Sequence, residues 1–259
     1  MSKTVVVTGA ASGIGFETAK HLADLGWRVG MIDLRHEDLV TAAEKISSPN
    51  LALAQADVTD EQSFAQALET ICADGSGLNA IFNNAGIAIS GQFEEMDIAA
   101  NRKIVEVNTI GVINGCHLAY PLLSQTPGLK HVINMSSASS IHGVPYLSAY
   151  GASKAFVTNL TEALNIEWAP RNISVSCIQV PFVKTPMIQQ EEPMLENMVR
   201  KRGAKVAPHQ IAQLVASILA TDKVGKSIHC VSSEMTMLNW AKRLLPRSVM
   251  RSVYANGND

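Results

Sequence analysis

The chain has 259 residues, 47% hydrophobic and 17% charged, a balance that excludes a disordered polymer and supplies one large core. A formal net charge of −2 gives no global attraction to nucleic acid or to an anionic surface. No apolar run reaches the ~18 residues of a membrane span, and M-S-K-T-V-V-V-T-G enters a strand without a charged-then-apolar leader, so a cytoplasmic protein is expected. The four cysteines (Cys72, Cys116, Cys177, Cys230) lie far apart and read as reduced core thiols. The seven histidines form no metal-binding cluster, and no metal is expected.

The first predicted element is a buried strand, Thr4 to Val7. It runs into Thr8-Gly9-Ala10-Ala11-Ser12-Gly13-Ile14-Gly15 and then a helix over Phe16 to Ala23. Strand, glycine turn and helix N-terminus in that order form an anion site, because glycines allow close backbone approach and free amides with the helix dipole hold a pyrophosphate. A second strand, Arg28 to Ile32, ends in Asp33, placed about 20 residues past the glycines, where a carboxylate would accept hydrogen bonds from an adenine-ribose diol. A helix cap or turn is the plainer role for Asp33, and the glycine turn favours ribose recognition.

The same alternation continues with a strand over Leu51 to Ala56 before Asp57-Val58, and a helix from Asp60 to Ala73. Leu78 to Phe82 is a strand ending in Asn83-Asn84-Ala85-Gly86. One long helical region spans about Ile98 to Ser124, bent where Asn108, Gly111 and Gly115 weaken it. Val132 to Met135, Ile173 to Ile178 and Gly225 to Ser232 read as further strands. The pattern predicts a single α/β domain over residues 1–259, a Rossmann-type doubly wound parallel sheet with helices on both faces. Ligand chemistry then belongs at the carboxyl ends of the strands.

The helix predicted from Ser148 to Trp168 puts Tyr150 and Lys154 on one face, and Ser137 closes the strand before it. Alone, Tyr-x-x-x-Lys reads as a core tyrosine and a snorkelling lysine. With the spaced serine and the nucleotide turn it reads as a proton-transfer set at a carbonyl or alcohol. The lysine charge is expected to lower the phenol pKa, while the serine hydroxyl holds the substrate oxygen.

These pieces (Thr8 to Gly15, Asp57-Val58, Asn83 to Gly86, Asn108, Ser137, and Tyr150-Gly151-Ala152-Ser153-Lys154) resemble in order and spacing the compact short-chain dehydrogenase/reductase family. The resemblance implies that Asn108 holds a water and a helix distortion linking Lys154 to solvent. It implies that Ser137 orients the substrate oxygen, that Tyr150 exchanges its proton, and that Lys154 also binds the nicotinamide ribose. Hydride then passes between the nicotinamide and the carbon bearing the oxygen. The cofactor contacts it implies are Gly9, Ser12, Gly13, Ile14, Gly15, Asp33, Leu34, Asp57, Val58, Asn84, Ala85, Gly86, Tyr150, Lys154, Pro181, Val183 and Thr185. NAD is favoured over NADP, because Asp33 repels a 2′-phosphate and the positions at which NADP-preferring members carry a basic residue are Ser12 and Leu34. Arg35 is the one basic group able to reverse this, and its plainer role is a solvated surface charge.

The chain departs from the family where Val180-Pro181 replaces Pro-Gly, which should stiffen the hinge before Thr185. The substrate loop is placed at about 187–206, with Met187 and other methionines suited to a medium-to-bulky apolar secondary alcohol or ketone. His142 and Tyr146 are candidate substrate neighbours, with turn or packing roles as the equal alternative. The tail over 235–259 mixes Leu238, Trp240, Leu244 and Leu245 with Lys242, Arg243, Arg247 and Arg251. Packing in a homodimer or homotetramer is preferred for it over peripheral membrane contact. The reading is thus an NAD-dependent alcohol dehydrogenase. An NADPH-dependent carbonyl reductase, and a non-catalytic nucleotide sensor or scaffold, are the alternatives.

Overall fold

The computed structural model describes residues 3–73, 75, 77–185, 203 and 206–244. Met187, most of the expected substrate loop and the tail past residue 244 lie outside these residues. The elements follow one another as β1 (Thr4–Thr8), α1 (Gly13–Asp24), β2 (Arg28–Asp33), α2 (His36–Ala43), β3 (Leu51–Gln55), α3 (Glu61–Cys72) and β4 (Ala80–Asn83). Next come α4 (Ile98–Val105), a π-helical turn (Glu106–Ile110), α5 (Gly111–Gln125), β5 (Lys130–Met135) and a 3₁₀ turn (Ala138–Ser140). The chain closes with α6 (Ser148–Trp168), a 3₁₀ turn (Ala169–Arg171), β6 (Ile173–Gln179), α7 (Pro208–Leu219), β7 (Ile228–Cys230) and α8 (Ser233–Leu244).

The strands form one parallel sheet in the order β3-β2-β1-β4-β5-β6-β7. A parallel sheet needs both faces covered, and strand alternation divides the apolar side chains accordingly. Val5 and Val7 of β1 enter a core with Leu22 of α1 and Ile211 and Val215 of α7. Val6 points the other way, into a core with Phe64 and Leu68 of α3, Val112 and Leu123 of α5, and Val157 of α6. Strand order reverses between β1 and β4, which opens a crevice at their carboxyl ends.

Asp60 caps α3 by accepting from the Ser63 amide, and Asp97 caps α4 by accepting from Ala99. Asp33 caps no helix, since the residue preceding α2 is Arg35. The predicted long helix is two helices joined by the π-helical turn that contains Asn108. All four cysteines are free thiols. Among the described residues no helix is long and apolar enough to cross a membrane, and no cluster of metal-ligating side chains occurs.

Candidate active site

At the β1–β4 crevice, the turn after β1 has Gly9 at φ +64° and Gly13 at φ +54°, a left-handed backbone that favours glycine. A methyl group at Gly15 would sit 2.0 Å from the Gly9 carbonyl oxygen, so α1 packs on the turn only because that position lacks a side chain. The segment after β4 clamps the turn from the other side. Amides of Asn84 and Ala85 donate to Thr8 Oγ1 at 3.0 Å each, and Asn84 Nδ2 donates to the carbonyls of Thr8 and Gly9 at 3.0 and 3.3 Å. Ser12 precedes α1 without a side-chain cap, so its hydroxyl does not occupy the first amides of that helix. Ile14 lies in the first turn of α1 and packs on the core.

The Asp33 carboxylate is oriented over this turn. Its Oδ2 accepts from the Ala11 amide at 2.9 Å and its Oδ1 from the Leu34 amide at 2.8 Å. Leu34 is exposed beside it. Arg35 is exposed too, but its guanidinium is engaged by Asp38, which raises its pKa. Across the crevice, burial pushes the Asp57 carboxyl up, but hydrogen bonds from the Thr59 hydroxyl and amide, with Lys103 nearby, outweigh it and leave the pKa lowered. Val58 is buried beneath, and its carbonyl accepts from Asn114 Nδ2 at 2.9 Å. The side-chain-free approach at Gly15 and the fixed Asp33 carboxylate fit a dinucleotide along this crevice.

The residues expected to carry the proton transfer meet at the ends of β4, β5 and α6. Asn108 is fully buried: its Oδ1 accepts from the Ile87 amide at 2.8 Å, and its Nδ2 donates to the Ile87 carbonyl at 2.9 Å and Ser153 Oγ at 3.1 Å. These bonds brace the π-helical turn. A methyl at Gly86 would lie 3.0 Å from Asn108 Oδ1 and 3.4 Å from Lys154 Nζ, so this glycine leaves room for both groups. Lys154 is 3% exposed; its ammonium donates to the Met135 carbonyl at 3.0 Å and lies 5.7 Å from the Tyr150 ring centroid. Burial pushes its pKa down to about 8.

Tyr150 differs from expectation. Burial raises its pKa, and the opposing influence is the Ser137 hydroxyl, whereas the Lys154 ammonium lies toward the ring and the Met135 carbonyl. Desolvation disfavours phenolate and ammonium alike, which the spacing of two residues on a helix does not reveal. Ser137 is itself buried, with its Oγ accepting from the Ser139 amide at 3.2 Å.

Of the remaining expected contacts, Pro181 follows β6 partly buried, Val183 bridges to Val206 in parallel, and Thr185 Oγ1 turns to the Val183 carbonyl at 3.4 Å. His142 lies in the turn before α6, with Nδ1 2.9 Å from the Gly143 carbonyl. Sequence reasoning missed an apolar cluster in which Val144 and Leu147 pack with Tyr146, Tyr150 and Phe182. Tyr146 holds φ +66° there, and its carbonyl accepts from the Gly91 amide. No motif marks Phe182. Only its place after Pro181 hinted at the site.

A switch-point crevice shaped for a dinucleotide, with Ser, Tyr, Lys and Asn gathered beside it, defines a class: the nucleotide-dependent oxidoreductases that move a proton and a hydride. The profile of the short chain dehydrogenase family matches residues 3–196, and the chain belongs to that family. It is an oxidoreductase acting on alcohols. Cyclohexanol dehydrogenase of Acinetobacter sp. (strain SE19) is 30% identical, over 85% of this chain and 89% of that one. Cis-4-hydroxycyclohexanecarboxylate dehydrogenase of Sinomonas cyclohexanicum is 31% identical, over 85% and 90%. The crystal structure of a 3-ketoacyl-(acyl-carrier-protein) reductase from Brucella melitensis, complexed with NADH, has the same fold, with a TM-score of 0.81 at 24% identity over 88% of this chain and 96% of that one.

Proposed function

We propose that the protein interconverts apolar, ring-bearing secondary alcohols and their ketones, with NAD(H) as the redox partner. The observation that carries the substrate class is the cluster of Val144, Tyr146, Leu147 and Phe182 against the Tyr150 ring, an apolar wall beside the proton-transfer group. The cyclohexane-ring dehydrogenases among its relatives support the same class. NAD is supported by the Asp33 carboxylate, held by two amides where it would repel a 2′-phosphate, and by the engagement of Arg35 with Asp38.

Gly9, Ser12, Gly13, Ile14, Gly15, Asp33 and Leu34 would hold the adenosine end and pyrophosphate, and Asp57, Val58 and Asn84 to Gly86 would line the opposite wall. When bound, the dinucleotide supplies the hydride acceptor or donor. In oxidation, Ser137 Oγ holds the substrate oxygen and the Tyr150 phenolate takes the hydroxyl proton; in reduction the phenol returns it. Lys154, buried beside them, gains its purpose here: a desolvated cation stabilises phenolate more than an exposed one would. Tyr150 needs that help, because burial raises its pKa. Self-association as a homodimer or homotetramer is part of the reading, supported by exposed Ile98, Val105, Ile110 and Ile113 along α4, the π-helical turn and α5, and by Phe156 and Ile166 on α6.

The test is a fluorescence titration with NADH and NADPH, followed by turnover of cyclohexanol and larger ring alcohols with NAD. Tighter NADH binding and turnover lost in Tyr150→Phe, with NADH still bound, are expected. Preference for NADPH would make Arg35 the selector and turn the reading to carbonyl reduction. Binding of neither dinucleotide, or full activity in Tyr150→Phe, overturns it.

A further inference from the structure

Gln179, the last residue of β6, is 2% exposed and uses both ends of its amide. Its Nε2 lies 2.9 Å from Ser140 Oγ, and Ser140 Oγ donates to the Ser137 carbonyl at 2.7 Å. With its proton committed to Ser137, the Ser140 hydroxyl can only accept from Gln179, which fixes the amide orientation. Gln179 Oε1 then faces α8, where Asn239 Nδ2 donates to it at 2.6 Å and the Cys230 thiol lies 3.8 Å away. Asn239 Nδ2 also lies 3.3 Å from Cys230 Sγ and from the Met235 carbonyl. Every bond in the chain points the same way, from Asn239 to Gln179, Ser140 and the backbone of Ser137, and aligned hydrogen bonds strengthen one another.

This relay completes a mount for one residue. The amides on either side of Ser137 already bond to β6 and the residue after it, Ser136 to the Ile178 carbonyl at 2.9 Å and Ala138 to the Val180 carbonyl at 2.8 Å. Gln179, between those two, ties down the 3₁₀ turn that Ser137 starts. An apolar side chain would fill the same space without the cost of burying a polar amide, so its bonds at both ends, toward Ser137 and toward α8, mark a positional task.

We propose that Gln179 is a positioning residue for Ser137 and that Asn239 holds it, so that α8 sets the placement of the substrate-binding hydroxyl. The inference rests on the alcohol-dehydrogenase reading for its kinetic consequence only. Gln179→Leu, Asn239→Leu and the double variant are compared with wild type, using NADH fluorescence to count folded sites and cyclohexanol with NAD for turnover. Gln179→Leu should lower kcat about 10-fold, the scale of a small misplacement, with NADH affinity unchanged. Asn239→Leu should cost about 3-fold, and the double variant should be no slower than Gln179→Leu, because Asn239 then has nothing to hold. Gln179→Glu, whose carboxylate accepts from Asn239 but cannot donate to Ser140, should behave as Gln179→Leu does.

A second readout needs no turnover. Loosening Ser137 weakens the lowering influence of its hydroxyl on Tyr150, so the Tyr150 titration, read as tyrosinate absorbance against the matching Tyr150→Phe protein, should move to higher pH. Where Gln179→Leu does not fold, Ser140→Ala and Asn239→Leu carry the same two measurements. Losses in kcat that multiply in the double variant, or an unmoved tyrosine titration in folded variants, overturn the relay. A wild-type protein that turns over no ring alcohol overturns the functional reading instead, and the tyrosine titration still decides the relay.

Discussion

Lys154 offers a measurement in which stability and chemistry oppose each other. Burial brings its pKa from 10.5 down to about 8. Between those values the unfolded chain binds more protons than the folded one, so stability must rise with pH across that window. Below about pH 8 both states carry the proton and the folded state bears the whole cost of the buried charge, about 3 kcal/mol. Raising the pH from about 7 to about 9.5 should relieve about 2 kcal/mol of it. Lys154→Met keeps the length of the side chain and removes the charge, while leaving the Met135 carbonyl without its 3.0 Å donor, a loss of about 1 kcal/mol. The variant should therefore be more stable than wild type by about 2 kcal/mol near pH 7, with that advantage shrinking toward zero near pH 9.5. Urea unfolding of both proteins at both pH values, followed by tryptophan fluorescence and circular dichroism, measures this. The difference of differences cancels the titrating groups that do not interact with Lys154. Turnover should be lost in the variant at either pH. An advantage that does not change with pH, or a variant less stable near pH 7, would refute the claim that burial sets this pKa.

Gly15→Ala puts a methyl 2.0 Å from the Gly9 carbonyl; the turn must separate from α1, lowering stability by about 1–3 kcal/mol in thermal melts and abolishing NADH fluorescence enhancement. Asn108→Leu leaves the Ile87 amide and carbonyl and the Ser153 hydroxyl without their partner, which should cost about 3 kcal/mol in urea melts. Asp33→Ser frees the Ala11 and Leu34 amides and removes the repelling carboxylate; NADPH should bind about 10-fold tighter and NADH about 10-fold weaker, each about 1.4 kcal/mol by titration.

Where a segment's fate was decided by its own composition, the sequence sufficed. Thr4 to Val7 is β-branched and apolar throughout, and both faces of β1 are buried. The helix read from Ser148 to Trp168 has those same bounds. Helix α7 carries the same kind of signal: Pro208 opens it, Gln210 reaches back to the Ala207 amide, and Ile211, Val215, Ile218 and Leu219 recur at helical spacing. The π-helical turn was not legible in the same sense. Asn108 signalled a weak point, but the extra residue in the turn accompanies bonds to Ile87 and Ser153, neighbours that only the folded chain supplies.

The sign of the Tyr150 shift shows where motif reasoning stops. Four residues along a helix put Lys154 beside Tyr150, and from that alone a lowered phenol pKa follows. Yet the packing that brings them together also removes the water that would stabilise either charge, and burial is the largest influence on both groups. Ser137 is the group that opposes it at Tyr150, so the acid–base step proposed for the site depends on where one hydroxyl is held. That placement is secured by side chains on β6 and α8 that belong to no motif, which is why a variant at Asn239 should register at Tyr150.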